Sequence, residues 1–150
     1  MRTEVNGLIS VTRKYSFSAS HRLHSETLSE AENDTVFGKC NNPFGHGHNY
    51  EIFVTARGPV DAESGMAVDT RRLDRMVEEL VLREFHLKNM NADVEAFRNV
   101  VPTTENLGVE IRRRLCDGWA KSFPGAWPQF EKLRIYETER NIFEVANEKA

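Results

Sequence analysis

Two cysteines, Cys40 and Cys116, are all the sequence has. That is too few for the disulfide framework of a small secreted domain, so both thiols are expected to be free in a reducing compartment. Long apolar runs are also missing: none approaches the roughly 20 residues of a membrane span. The opening residues, MRTEVNGLIS, lack the basic-then-apolar pattern of a signal peptide, which leaves a cytoplasmic location as the expectation. There is no excess of positive charge. Lys and Arg number 20 against 23 Asp and Glu, a formal net charge of -3. That balance argues against general binding to nucleic acid or to an anionic membrane. Repeats, low-complexity tracts and linker-like composition breaks are absent too, so the 150 residues are expected to form one domain. The hydrophobic fraction is a modest 39%, and association with further copies would help a chain of this size cover its core.

What is present is clear periodicity. In residues 8–21, LISVTRKYSFSASH, the positions Ile9, Val11, Tyr15, Phe17 and Ala19 share one parity, which His21 continues. This is the pattern of a half-buried strand. Residues 22–45 are polar and read as a long loop. A second strand is expected over 46–57, with His46, His48, Tyr50, Ile52, Val54 and Ala56 on one face. Asp69 can cap a helix from about Thr70 to Phe85, with Leu73, Met76, Val77, Leu80 and Val81 as its apolar stripe. Residues 86–101 read as irregular. Thr103 or Thr104 can cap a second helix carrying Leu107, Ile111, Leu115 and Trp119. Two further strands follow near 130–137 and 141–145, with Leu133, Ile135 and Glu137 sharing a face. The order strand, strand, helix, helix, strand, strand predicts an α+β fold: a four-stranded antiparallel sheet with both helices on one face.

Four of the five histidines fall between positions 21 and 48. On a strand, His46 and His48 point the same way, and Gly47 leaves the opposite face bare. Pairing of the first two strands would bring His21 to them. Three neutral imidazoles with an open fourth position are the usual form of a catalytic zinc site, although imidazole also suits Cu, Ni and Fe. His24, in the loop, is expected to be solvated or to support the ligands from behind. Cys40 lies six residues before His46 among polar, turn-forming neighbours. A thiol near a metal and a basic residue can act as a base, a nucleophile or a fourth ligand. Cys116, inside the second helix, reads as a small buried residue.

The segments YSFSASHRL, GKCNNPFGHGHNYEI, GPVDAESGMAVD, VVPTTENLGVEI and IYETERNI together resemble the 6-pyruvoyltetrahydropterin synthase family, from about Tyr15 to Val145. The resemblance implies a tunnelling fold whose sheets join into barrels in trimers and hexamers, with active sites between subunits. It implies a Zn²⁺-dependent lyase that converts 7,8-dihydroneopterin triphosphate to 6-pyruvoyl-tetrahydropterin with loss of triphosphate. It also implies roles: His21, His46 and His48 as metal ligands, Cys40 as thiolate base, and Glu137 as the carboxylate that anchors the pterin ring. Thr103 and Thr104 would help bind the pterin, and Glu105 is a further contact.

One segment departs from the pattern. Where the family reads Asp-His in DHKN, this chain has His86-Leu87 followed by Lys88-Asn89. Leucine neither donates nor accepts a proton. A shift of one residue puts His86 in the histidine role but Phe85 in place of the aspartate, so the dyad is incomplete either way. The expectation is that metal and pterin binding persist while the standard reaction is slow, altered or absent, with His86 as a partial acid–base substitute. Two alternatives follow: a pterin-binding paralogue without efficient catalysis, or the branch that makes 6-carboxytetrahydropterin for queuosine. The spacing from Cys40 to His46 fits the pyruvoyl type better.

Overall fold

The computed structural model describes residues 7–147. Alternation of apolar and polar residues makes two long strands, β1 (Leu8–His21) and β2 (His46–Pro59). They pair antiparallel without slippage from Leu8↔Pro59 to His21↔His46. β4 (Gln129–Tyr136) adds to β2, and β5 (Ile142–Ala146) adds to β4, both antiparallel. The expected four-stranded antiparallel core is therefore present. A fifth, two-residue strand, β3 (Lys88–Asn89), runs parallel to β1 at its outer edge and makes the sheet mixed, in the order β3-β1-β2-β4-β5. Sequence reading missed it because two polar residues carry no alternation.

The core lies on one face. Phe17, Tyr50, Ile52, Val54, Leu133 and Ile135 bury their side chains there, each 2% exposed or less. They meet Leu73, Val77 and Val81 from one helix and Leu107, Ile111 and Leu115 from another. The first is α2 (Thr70–Val77), capped by Asp69, which runs on through a π-helical turn (Glu78–Leu82) into a final turn, α3 (Arg83–Phe85). The second is α5 (Thr104–Ser122). Asp74 takes two bonds from the Arg13 guanidinium, at 3.1 and 2.7 Å, and one from Tyr15 Oη at 2.6 Å, tying α2 to β1. A bulge opposite Thr55/Ala56 leaves Glu131 without a partner in the ladder, so Phe130 reaches the core although its parity differs from that of Leu133.

The segment read as loop, 22–45, is partly helical. α1 (Glu30–Phe37) starts at Ser29, whose side chain takes the Glu32 amide while Glu32 returns the bond to the Ser29 amide. This reciprocal cap satisfies two otherwise orphan donors. A 3₁₀ turn follows at Gly38–Asn41. The stretch read as irregular, 86–101, likewise contains β3, the short helix α4 (Met90–Asp93) and a 3₁₀ turn at Glu95–Phe97. Among the described residues no helix is long and apolar enough to cross a membrane.

Candidate metal centre

The last rung of the β1–β2 ladder pairs His21 with His46, and the rung before the adjacent one pairs Ala19 with His48. Strand parity places all three imidazoles on the core-facing side. Their ligand atoms lie within 4.8 Å of one another. His21 is 1% exposed. Its Nδ1 donates to the Pro102 carbonyl at 2.7 Å, which fixes the tautomer and leaves the Nε2 lone pair toward His46 Nε2, 3.1 Å away. Such a carbonyl behind an imidazole is the usual orienting partner of a metal-ligating histidine. His48 Nε2 is buried with no hydrogen-bond partner.

Electrostatics favour the ligand-ready form. Burial, more than the two neighbouring imidazoles, holds His21 below the ordinary histidine range, opposed by the Pro102 bond and by Glu137. Burial also lowers His48, with Glu137 opposing and His46 assisting. Neutral imidazoles are the state that binds a metal. The fit to a divalent ion thus rests on two observations: an orphaned nitrogen on His48, and three imidazole ligand atoms gathered within 4.8 Å.

The approach to this rung needs glycine. Gly45 has φ +72°, and a Cβ there would sit 3.0 Å from the His21 carbonyl oxygen. Beyond His21, Asn91 clamps the Arg22 main chain, accepting from its amide at 2.7 Å and donating to its carbonyl at 2.9 Å. The Leu23 amide then bonds the Cys40 carbonyl at 2.8 Å. This holds the cysteine segment near the strand end, half-buried. Cys40 lies outside the three-residue ligand group. His24 Nδ1 faces the Asn41 amide nitrogen at 2.9 Å.

Glu137 follows β4 directly and keeps the parity of Leu133 and Ile135. Its charge acts on His21, His48 and Tyr50. Thr104 Oγ1 donates to one carboxylate oxygen, and Asn141 approaches the other at 3.4 Å. The two threonines therefore separate. Thr103 is the helix cap, its hydroxyl oxygen accepting the Asn106 amide at 3.1 Å. Thr104, 2% exposed, faces the site. Glu105 is exposed at the first turn of α5. Replacing Thr103 with alanine is expected to lower stability by about 1 kcal/mol, the usual loss for an N-cap. Urea unfolding of the two proteins measures it; no loss would mean that the cap contributes nothing.

The 86–87 segment sits at the β1 edge. Ser18 donates its amide to His86 Nδ1 at 3.1 Å and accepts from the Leu87 amide at 2.6 Å. His86 is exposed, and its Nδ1 is held by Ser18. Leu87 has φ +60°, and its side chain is 78% exposed. Together with His48, Gly47 and Asn49 it lines a cavity of about 510 Å³. His21 and His46 are not among the residues that line it. Sequence reasoning missed the Pro102 carbonyl behind His21 and the buried Tyr50 hydroxyl beneath the cluster, which has no partner. Only the position of Pro102 just before the TTEN segment, and of Tyr50 two residues after His48, hinted at either.

A mixed sheet that ends in three clustered imidazoles facing a carboxylate defines a class of protein: one with a sheet-borne three-histidine site able to take a divalent metal. Residues 10–148 match the family described as 6-pyruvoyl tetrahydropterin synthase, and the chain belongs to that family. It is 48% identical over 132 residues to the 6-pyruvoyl tetrahydrobiopterin synthase of Poecilia reticulata, covering 88% of this chain and 86% of that one. The Homo sapiens protein of the same name is 45% identical over 132 residues, covering 88% and 87%. The solved structure of Caenorhabditis elegans 6-pyruvoyl tetrahydropterin synthase superposes with a TM-score of 0.85 at 39% identity, over 95% of this chain and 97% of that one.

Proposed function

We propose that this chain is a zinc-dependent pterin lyase acting on 7,8-dihydroneopterin triphosphate, which it converts to 6-pyruvoyl-tetrahydropterin with release of triphosphate. The observation that carries the reading is the convergence of three imidazole ligand atoms within 4.8 Å, under the charge of Glu137. His21, His46 and His48 would hold Zn²⁺. The bound ion supplies a Lewis acid that polarises side-chain oxygens and makes the neighbouring carbon-bound protons more acidic.

The chain's own residues do the rest. Glu137 accepts the adjacent N–H groups at the amino end of the pterin ring, and Thr104 occupies one of its oxygens and steers the other toward the ligand. Cys40, as thiolate, takes a proton from the side chain of the substrate. His86 supplies acid–base capacity at the edge of the site, with Nδ1 held by Ser18 and Nε2 left to exchange protons. Thr103 and Glu105 support the ring from the start of α5. The protein acts as a single domain in the cytoplasm, in trimers or hexamers whose joined sheets form a barrel, with the sites between subunits.

A second reading has its own support. Leu87 occupies the position where the family pattern carries the proton-relaying histidine, and leucine relays nothing. On that reading the chain is a pterin-binding paralogue with altered or lost activity. The five residues between Cys40 and His46 speak against the 6-carboxytetrahydropterin branch. Mass spectrometry of zinc-loaded protein incubated with dihydroneopterin triphosphate separates the readings. A new pterin and free triphosphate identify the lyase; unchanged substrate that co-purifies identifies the binder. In either case Glu137→Gln is expected to weaken pterin binding at least about tenfold, because a neutral amide offers one acceptor where two charge-assisted ones are needed. Unchanged affinity would remove Glu137 from the site.

A further inference from the structure

We infer that Tyr50 is a positioning residue for the Glu137 carboxylate, acting through Thr104; the inference rests on the reading of Glu137 as the pterin anchor. Tyr50 is 0% exposed, yet its hydroxyl has no hydrogen-bond partner. A buried hydroxyl without a partner carries an uncompensated desolvation penalty, and phenylalanine would fill the same space without it. The ring is fixed on all sides. It stacks on Phe17 at 5.1 Å and 21°, and sets its edge against His48 at 5.5 Å and His21 at 6.4 Å. The hydroxyl is therefore held in place at the floor of the site rather than free to swing toward water.

The side chain that faces it is Thr104, although the pair falls short of full hydrogen-bond geometry. Thr104 has already committed its O–H to Glu137. A threonine oxygen has two lone pairs left, so it can accept from Tyr50 while it donates to the carboxylate. The chain of donors then runs Tyr50 to Thr104 to Glu137, each bond polarising the next. Its effect is directional. With Tyr50 donating, the Thr104 proton has only Glu137 to go to, and the carboxylate presents acceptors alone to the ligand. Such a site selects a ring edge bearing two adjacent N–H donors and rejects one that presents a ring acceptor. Ligand binding draws on Glu137 and closes the loose Tyr50–Thr104 contact.

The test uses the zinc-loaded, full-length protein and neopterin, whose fluorescence reports binding. Tyr50→Phe is expected to melt at the same or a higher temperature, to keep its metal content, and to bind neopterin about tenfold more weakly. In turnover it raises KM and leaves kcat unchanged, as loss of uniform binding does. Thr104→Val also weakens binding, and the double variant is no weaker than Thr104→Val alone, because Tyr50 acts through Thr104. Wild-type affinity in Tyr50→Phe overturns the inference alone. So do additive effects in the double variant, and so does a lower melting temperature or a loss of metal, since either marks a merely structural tyrosine. Failure of the wild-type protein to bind neopterin overturns this inference and the pterin reading together.

Discussion

Changing His86 to aspartate and Leu87 to histidine together is expected to raise turnover of 7,8-dihydroneopterin triphosphate by about 10²–10⁴-fold, the usual contribution of a positioned general acid or base. The structure makes this exchange feasible. Leu87 lines a groove that His48 also lines, so an imidazole at that position would open onto it. The backbone also favours it: φ at Leu87 is +60°, where histidine is found far more readily than leucine. At position 86 a carboxylate oxygen can replace His86 Nδ1 as acceptor for the Ser18 amide. The carboxylate would then orient and charge-balance the neighbouring imidazole. The measurement is the rate of triphosphate release at saturating substrate, with metal content checked in both proteins. A folded, zinc-loaded double variant with no gain in rate would sink the view that this segment limits catalysis. So would wild-type turnover that is already at the ceiling and indifferent to His86→Ala.

The second large effect concerns the metal. His48→Ala is expected to lower metal content from one ion per chain to none after dialysis. A Co²⁺-loaded wild-type protein should show visible absorption of a low-coordinate site that the variant lacks. His48 is the informative position because it is only part-buried, so its removal leaves the core intact. Metal should also stabilise the fold. At about a thousandfold excess over Kd, binding to the native state alone is worth about 4 kcal/mol. For a domain of this size that is roughly an 8–16 °C rise in Tm. Thermal unfolding with and without chelator reads it directly. Identical melting curves, together with unchanged metal content in His48→Ala, would end the metal-centred account. Since Asp and Glu are absent from the ligand group, the ion must be one that imidazole holds well.

Much of this architecture was legible in the sequence, for a physical reason. Where one face of an element is buried, its period is imposed on the residues. The run His48, Tyr50, Ile52, Val54, Ala56 could only be a strand with that face inward, and the histidines came with it. Asp69 and Thr103 announced their helices by capping. Other features follow from partners distant in sequence and leave no period. β3 exists because the Leu87 turn brings its chain against Ser18, which no local pattern encodes. The π-helical turn in α2 and the bulge at Glu131 each add one residue and reset the parity. α1 is a different case. Ser29 with Glu32 three residues on is a readable capping box, but the helix is polar throughout and buries only Asn33. Asn33 donates to the carbonyls of Ser25, Leu28 and Ser29, a hub of hydrogen bonds that hydrophobic periodicity cannot signal. At the site, the three histidines were legible as a cluster because they continue strands. Pro102 was not, because its contribution is a carbonyl that every residue has.

The unbroken register from Leu8↔Pro59 to His21↔His46 separates two kinds of inheritance. The imidazoles are set by a rigid ladder, so insertions or exchanges in 22–45 and 86–101 leave their mutual distances alone. On the proposed reading, those segments carry Cys40 and His86 and so bear on how substrate protons move. His86-Leu87 sits in one of those segments, so on the proposed reading a change there leaves the three imidazoles where they are. Descendants of such a scaffold can drift in chemistry while keeping the same anchorage, and can recover a lost activity through two codons rather than a new site.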